Sequence, residues 1–258
     1  MSTIDPKTLR KAQLIMLEML VEFDTICTKH NLQYWLDSGT LLGAVRHQGF
    51  IPWDDDIDLS MPVEDYEKFI EIAQEELSEN IFFQTVATDG AFKFDYIKLR
   101  SNRASIVEFH EKGREVGYHQ GVFVDIFPML TLESTPFHQQ FYRDVFALIR
   151  SLSSVSLHTR EGKDHPQSRA KLIEALDIMH QGWEDANNKV IYSGKMPDVA
   201  AWFDQNKIFP LKKMAFEGLE FPVPNDPEHY LDSIYSFNFM ELPPEDKRQI
   251  HAHDIVIH

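Results

Sequence analysis

The sequence predicts an α+β protein in which a mixed sheet is flanked by helices and followed by a mainly helical C-terminal part. Three observations support this fold class. Apolar residues recur at helical spacing near the N-terminus, short strand-like runs follow between residues 81 and 127, and helical spacing returns after Pro128. With 258 residues and 43% hydrophobic content, the chain can bury a core and is not expected to be disordered.

Composition excludes several classes of partner and site. The chain has 25 Lys and Arg against 41 Asp and Glu, and the resulting net charge of -16 would repel a nucleic acid. Its one cysteine, Cys27, excludes an internal disulfide and cysteine-cluster metal sites, and we expect it in the core. The N-terminus does not resemble a signal peptide and no run approaches 18 apolar residues, so we expect a cytoplasmic protein.

The N-terminal half begins with the clearest element. Asp5 and Pro6 are typical of a helix start, and the helix should end near His30. Its apolar face carries Leu9, Leu14, Leu17, Leu20, Val21 and Phe23. The next predicted elements are a strand at 32–36, a turn at 37–40, a helix at 41–46, an acidic strand at 56–61 and a helix at 63–77.

The remaining elements are predicted from shorter patterns. Strands are expected at 81–86, 92–100, 105–109 and 121–127, and helices at 137–157, 169–192 and 228–235. Between the last two helices, residues 212–223 read as a hairpin turning at Glu217 and Gly218, and a polar, histidine-rich tail ends the chain. We place a catalytic core at 1–130 and a helical region at 131–258, packed together as one continuous structural unit.

The acidic stretch at residues 51–61 is the strongest chemical signal. From Asp56 onward, carboxylates alternate with Ile57 and Leu59, so Asp56 and Asp58 share one strand face, roughly 6.5 Å apart at Cα, and can converge on a divalent cation. A solvated turn or a helix cap is the ordinary alternative. A calcium loop of EF-hand type is excluded, because its sixth position, which needs Gly, is Leu59 and its twelfth is Asp65.

A third carboxylate interrupts an otherwise apolar strand. Asp125 lies in the run at 122–127, where a buried carboxylate is costly unless it is paired, hydrogen-bonded or bound to metal. It could instead end the strand in solvent, but we favour a role beside Asp56 and Asp58. Asp55 points to the other face and is expected to be structural.

Several residues could contact phosphate. Ser38, Gly39 and Thr40 lie between a strand and a helix, where free N–H groups favour an anion, although an ordinary turn fits them as well. Three cations could offset phosphate charge or form surface salt bridges instead: Arg46, Lys98 and Arg100. Lys98 and Arg100 share one strand face. The histidines His47, His119, His251 and His253 are expected as polar contacts only.

The stretch from Tyr34 to Asp58 closely resembles the signature of the LicD family of phosphotransferases, to which fukutin-related protein is also similar. The resemblance continues through residues 121–128, 216–218, 223–225 and 242–244, which together span nearly the whole chain. It implies a nucleotidyltransferase core of the DNA polymerase beta type. The motif of that fold falls on Gly39 with Thr40, on Asp56 with Asp58, and on Asp125, while Asp54 matches a further acidic position.

What the resemblance implies is transfer of phosphocholine or a polyol phosphate from a CDP-linked donor to a sugar hydroxyl, with release of CMP. The acceptor would be a cell-surface glycan, such as lipopolysaccharide, teichoic acid or capsule, or a lipid-linked precursor. Mg²⁺ or Mn²⁺ would be held by Asp54, Asp56, Asp58 and Asp125, with Asp56, Asp58 and Asp125 as the catalytic residues. A lipid-linked acceptor would bring the protein to the inner face of the cytoplasmic membrane as a peripheral protein.

One departure and two alternatives accompany this interpretation. Ser236 stands where the family usually has Gly, so the substrate could differ from the family's best-known one. Within enzymes, the alternative is transfer of a nucleotidyl group to a small acceptor with loss of pyrophosphate. A catalytically inactive nucleotide-binding module is the other, and the complete set of acids argues against it.

Overall fold

The computed structural model describes residues 4–94, 96–133, 189–192, 202–235, 238–248 and 250–258. The predicted helix at 137–157, most of the one at 169–192, and the departure at Ser236 lie outside these ranges. Residues 189–192 form a strand, so the helix prediction is wrong at its C-terminal end.

The N-terminal helix is confirmed with its caps. Asp5 accepts a hydrogen bond from the N–H of Thr8, Pro6 occupies the first turn, and Asn31 closes the helix in the left-handed conformation (φ 55°). The described helices are α1 (Pro6–His30), α2 (Ser38–His47), α3 (Val63–Glu76), α4 (Gln205–Ile208) and α5 (Pro227–Ile234). Single 3₁₀ turns occur at Phe109–Glu111 and Glu245–Lys247. None of the described helices is long and apolar enough to cross a bilayer.

Eight strands of the described chain form one mixed sheet, as predicted. Its path runs β1-β2-β5-β4-β10; β3 also pairs with β4, and β6 joins β5 to β7. Only the β2–β5 pair among these is parallel. The strands are β1 (Trp35–Leu36), β2 (Asp58–Pro62), β3 (Ile81–Gln84), β4 (Ile97–Glu108), β5 (Gly121–Glu133), β6 (Lys189–Tyr192), β7 (Trp202–Asp204) and β10 (Ala252–Ile257). The narrower assignment to the DNA polymerase beta type stays a prediction.

Helices cover this sheet and enclose the core. α1 packs against β4, β5 and β10, whereas α3 packs against β2 and β5. Edge-to-face rings join them, with Phe23 of α1 4.9 Å from both Tyr34 and Phe69 between ring centroids. Cys27 is buried in this core, as expected. The core therefore fixes β2 and β5, which carry two of the predicted acids.

Two strand predictions need correction. β2 begins at Asp58, so Asp56 lies in the preceding loop and not on the strand. That loop is shaped by a turn in which the N–H of Asp54 donates to the carbonyl of Ile51. The strands predicted at 92–100 and 105–109 are one strand, β4, whose pairing with β5 is irregular between Arg100 and Ser105. Three polar residues, Ser101, Asn102 and Arg103, lie between them and belong to this irregularity.

The C-terminal residues build directly onto the N-terminal sheet. β5 continues past residue 130 to Glu133. The polar tail, for which no strand was predicted, forms β10 and pairs with β4. The described residues beyond 131 contain five strands, β6 to β10, besides α4 and α5. Two of these strands, β8 (Lys212–Phe216) and β9 (Leu219–Val223), form the predicted hairpin, with Glu217 and Gly218 at its turn in the left-handed conformation.

Candidate active site

Two of the predicted acids are neighbours across the sheet. Asp58, the first residue of β2, is in register with Asp125 on the parallel strand β5. The N–H of Asp125 donates to the carbonyl of Ile57 at 2.8 Å, which fixes the two strands at this point. The pairing expected from sequence, between acids nearly seventy residues apart, is therefore present in the sheet.

Asp54 and Asp56 reach the same region from the loop before β2. Burial, followed by the charge of Asp56, raises the pKa of Asp58 well above its usual value, and Asp125 and Asp54 add to the effect. Asp54 responds in the same way, with burial and then Asp56 raising its pKa. We call Asp54, Asp56, Asp58 and Asp125 the acidic cluster. Its charges repel one another in a buried place, which favours binding of a cation.

Lys98 lies against Asp125. Its ammonium is 2.8 Å from each carboxylate oxygen, with hydrogen-bond geometry to Oδ2, and 3.3 Å from the ring centroid of Phe123. Burial raises the pKa of Asp125 to about 6, although Lys98 opposes the shift. We predicted Lys98 as a phosphate contact; the structure places it as the partner of a catalytic candidate, with 4% of its side chain exposed.

The two arginines are bound within the protein. Arg100 is 2% exposed, and its guanidinium donates to Gln84 Oε1 and to the carbonyl of Gly121, both at 2.8 Å. It therefore stabilises the β3–β4–β5 region and is not placed to meet a ligand. Arg46 is close enough to Asp54 to feel its charge, but its guanidinium donates to the carbonyls of Phe239 and Glu241.

The predicted phosphate turn is the first turn of α2, which begins three residues earlier than expected. Gly39 faces the acidic cluster: a Cβ at this position would lie 3.0 Å from Asp54 Oδ2. The hydroxyl of Thr40 accepts a hydrogen bond from the N–H of Asp58 at 2.8 Å, and Ser38 N–H donates to Asp37. In a first helical turn, N–H groups have no intrahelical acceptor, so those of Gly39 and Thr40 remain suited to an anion.

Asp37 is a functional candidate that sequence reasoning missed. It caps α2, is 7% exposed, and accepts hydrogen bonds from the hydroxyls of Ser60 and Tyr230, the latter at 2.9 Å. Burial raises its pKa, against the effect of these donors. Its place before the turn was a recognisable helix-cap signal. Tyr230 arrives from α5, 193 residues later, and no local pattern indicated it.

His251, which directly precedes β10, contacts the acidic cluster. Asp55 is 1% exposed and accepts hydrogen bonds from the N–H groups of His251 and Ala252, which agrees with the structural role expected for it. His251 Nδ1 lies 3.3 Å from Asp55 and 3.4 Å from Asp56, and these contacts raise its pKa to about 11. Ligand atoms of these three residues lie within 4.8 Å of one another, a spacing that could hold a metal ion next to Asp56 of the acidic cluster.

Comparisons with known proteins point to one family. Residues 31–147 match the family described as LicD/FKTN/FKRP, nucleotidyltransferase domain, and this range contains every predicted site residue. The chain is 27% identical to the lipopolysaccharide cholinephosphotransferase LicD of Haemophilus influenzae, over 95% of this chain and 96% of that protein.

A second relative matches more closely over a shorter stretch. The chain is 56% identical to the human ribitol 5-phosphate transferase FKRP over 34 residues, which are 13% of this chain and 7% of that protein. The resemblance seen in the sequence is thus confirmed: residues 31–147 match the LicD family, and the similarity to a LicD protein extends over nearly the whole chain.

Proposed function

We propose that the protein transfers a phospho-alcohol from a CDP-linked donor to a sugar hydroxyl and releases CMP. The observation that carries the proposal is the acidic cluster beside the first turn of α2, because phosphoryl transfer needs cation-binding carboxylates and a cradle for phosphate oxygens. The names of two relatives add support, since one is a cholinephosphotransferase and the other a ribitol 5-phosphate transferase.

The acidic cluster fits a hard divalent cation. All four side chains offer carboxylate oxygens, the ligands that Mg²⁺ and Mn²⁺ prefer. Burial, and then the negative charge of Asp56, raises the pKa values of both Asp54 and Asp58, so a bound cation would stabilise their charged forms. Asp54, Asp56, Asp58 and Asp125 would hold the ion, which when bound would balance negative charge on the donor diphosphate.

The remaining work falls to the chain's own residues. The N–H groups of Gly39 and Thr40 orient phosphate oxygens, and the absence of a side chain at Gly39 leaves them accessible beside Asp54. The acceptor oxygen forms a bond to phosphorus while the bond from phosphorus to the CMP oxygen breaks. The hydroxyl proton passes to a carboxylate oxygen of Asp125, which Lys98 holds in place.

The products of incubation test this proposal. The purified protein is supplied with Mg²⁺, lipopolysaccharide as acceptor and one of four donors: CDP-choline, CDP-ribitol, CDP-glycerol or CDP-ethanolamine. We expect CMP and labelled glycan from at least one donor. A parallel incubation with CTP and phosphocholine tests nucleotidyl transfer, and pyrophosphate from that reaction, without CMP from any CDP-alcohol, would contradict the proposal.

A thermal-shift screen identifies the donor independently of turnover. A ligand that binds the folded state raises its melting temperature, so the preferred CDP-alcohol should give the largest shift when Mg²⁺ is present. CMP alone serves as the control for binding through the nucleotide. A larger shift with CMP than with every CDP-alcohol would argue against recognition of the transferred group.

A further inference from the structure

A cleft of about 710 Å³ lies beside the acidic cluster. It is bounded by the start of α1, by the turn at Pro52 and Trp53, by Phe109, and by Glu245, Asp246, Arg248, Ile250 and His251. Its volume is within the range of small-molecule sites. None of the roles assigned above uses this space.

Two residues that line the cleft connect it to the proposed active site. Trp53 lines it and directly precedes Asp54 in the chain. His251 also lines it, and Nδ1 of its imidazole is 3.4 Å from Asp56 Oδ2. A molecule bound in the cleft would therefore lie next to the Asp56 side of the cluster, whereas the first turn of α2 lies on the Asp54 side.

The lining combines aromatic faces with hydrogen-bonding groups. Phe109 is 49% exposed, and the guanidinium carbon of Arg248 lies 4.3 Å from the ring centroid of Trp53. Glu245 and Asp246 add exposed carboxylates at the rim. Sugar rings present an apolar C–H face and an edge of hydroxyls, and such a lining can pack against the first and hydrogen-bond the second.

The charge of the cleft lining favours the sugar acceptor over the CDP-linked donor as the molecule bound there. Glu245 and Asp246 lie at the rim, and Asp55 and Asp56 are in contact with His251 at the inner end. Arg248 is already 3.7 Å from Glu245 through its guanidinium. A CDP-linked donor carries a diphosphate that the rim carboxylates of Glu245 and Asp246 would repel, whereas an uncharged sugar meets no such penalty.

We propose that this cleft binds the sugar acceptor as an uncharged, polyhydroxylated ring, an assignment that rests on the proposed function for its catalytic meaning. The donor phosphates occupy the α2 side of the acidic cluster and the acceptor enters from the Asp56 side. Two separate approaches to one cluster suit a displacement in which the attacking and leaving oxygens are in line.

Binding of methyl glycosides tests the assignment. We would measure saturation-transfer NMR for the methyl glycosides of glucose, galactose and N-acetylglucosamine with the wild-type protein and with Phe109→Ala. Wild type should bind at least one of them, and loss of the ring should weaken that binding roughly threefold to tenfold. Glu245→Gln, at a side chain that is 88% exposed, should also weaken it.

Phe82→Ala is the matched control. Phe82 contacts the ring of His119 at 4.8 Å between centroids, much as Phe109 contacts His253 at 5.4 Å, but it lies on β3. The Phe82→Ala protein should bind the glycosides as wild type does. All variants should keep the melting-temperature shift given by CDP-choline.

Three results would overturn the assignment: wild type binds none of the glycosides, both cleft variants bind them unchanged, or Phe109→Ala loses the CDP-choline shift instead. The last would place the nucleotide in the cleft. A different result would contradict the proposed function alone. In that case the wild-type protein would release no CMP, but it would still bind the glycosides and the cleft variants would still bind them more weakly.

Discussion

At the scale of single residues, Asp58 is held through both of its backbone polar groups by the start of α2. Its N–H donates to Thr40 Oγ1 at 2.8 Å, and its carbonyl accepts from the N–H of Asp37 at 3.0 Å. Asp37 in turn accepts from Tyr230, whose hydroxyl also accepts from Trp35 Nε1 at 3.3 Å. The position of a catalytic candidate thus depends on a tyrosine from the C-terminal region.

Tyr230→Phe should lower both stability and turnover. The change removes a donor to the buried Asp37 carboxylate, which we expect to cost about 1–2 kcal/mol in the free energy of unfolding. Because Asp37 also holds Asp58, CMP release should fall. Urea unfolding and the turnover assay measure the two effects.

Tyr34→Phe separates the two effects. Tyr34 is 2% exposed and donates to Asp24 at 2.7 Å, so it loses the same kind of bond at a place remote from the cluster. It should lose similar stability and keep wild-type turnover. Equal turnover in Tyr230→Phe and Tyr34→Phe would show that Tyr230 stabilises the fold without positioning the site.

Lys98→Met should be among the most destabilising single changes in the sheet. It leaves the carboxylate of Asp125 buried without its ion-pair partner, and breaking such a pair costs about 3–5 kcal/mol. Urea unfolding at pH 7 measures the loss. Adding Asp125→Leu removes the unpaired charge, so the double variant should regain stability; no recovery would mean that Lys98 acts mainly through its contact with Phe123.

At the scale of elements, the β8–β9 hairpin is fixed to α1 by one glutamate at its turn. Glu217 is 2.5 Å from Arg10 and accepts a hydrogen bond from the N–H of Phe50 at 3.1 Å. Its own N–H donates to the carbonyl of Gln48. These contacts join the hairpin, the first helix and the loop that leads to the acidic cluster.

Glu217→Gln should cost about 0.5–1 kcal/mol at pH 7 and less in acid. The bond from Arg10 lowers the pKa of Glu217 below its ordinary value of 4.5. A lowered folded-state pKa contributes stability that is complete above the unfolded value and is lost as pH falls through the folded one. Urea unfolding should show that the difference in unfolding free energy between Glu217→Gln and wild type is smaller at pH 3 than at pH 7. Glu220→Gln, at an exposed position of β9, should match wild type at both pH values.

Elements with strong local signals were predictable, and those defined by distant partners were not. Asp5, Pro6 and Asn31 mark the ends of α1, and Glu217 with Gly218 marks the hairpin turn. β10 was not predicted, because polar and apolar residues do not alternate clearly along it. It is stabilised as a strand by its pairing with β4 and by hydrogen bonds from the N–H groups of His251 and Ala252 to Asp55. Tertiary contacts, not propensity, define it.

The candidate site divides in the same way. That Asp125 lies near Asp58 was predictable, because a carboxylate inside an apolar strand is costly unless it is paired, hydrogen-bonded or bound to metal; the register of the two strands was not predicted. The buried places of Lys98 and Arg100 were not, since parity along a strand gives the face of a side chain and not its partners. Asp37 showed only a capping signal, and its link to Tyr230 depends on the packing of α5 against α2.

At the scale of the whole molecule, the N-terminal and C-terminal parts share one structure around the acidic cluster. β10 pairs with β4, α5 packs on α2, and Asp55 accepts from two N–H groups at the start of β10. Residues near the end of the chain therefore hold the loop that carries Asp54 and Asp56. We expect the site and the last strand to unfold together.

Asp55→Ala should test this connection. It leaves the N–H groups of His251 and Ala252 without their acceptor, at a cost of about 1–3 kcal/mol. Hydrogen exchange should accelerate at the amides of β10, and turnover should fall because the neighbouring acids lose their support. Asp254→Ala, at an exposed position of β10, is the control. If the β10 amides of Asp55→Ala exchanged at the wild-type rate, that result would contradict the expected connection between Asp55 and the last strand.

The most direct test of the central claim is the rate of CMP release from the preferred CDP-alcohol by wild type, Asp58→Asn and Asp254→Asn, measured with Mg²⁺ and after its removal by EDTA. If the acidic cluster binds the cation that supports phospho-alcohol transfer, Asp58→Asn and chelation should each lower the rate at least about a hundredfold. Asp254→Asn should match wild type, with all three proteins folded by circular dichroism. An Asp58→Asn protein that keeps Mg²⁺-dependent CMP release would contradict the account.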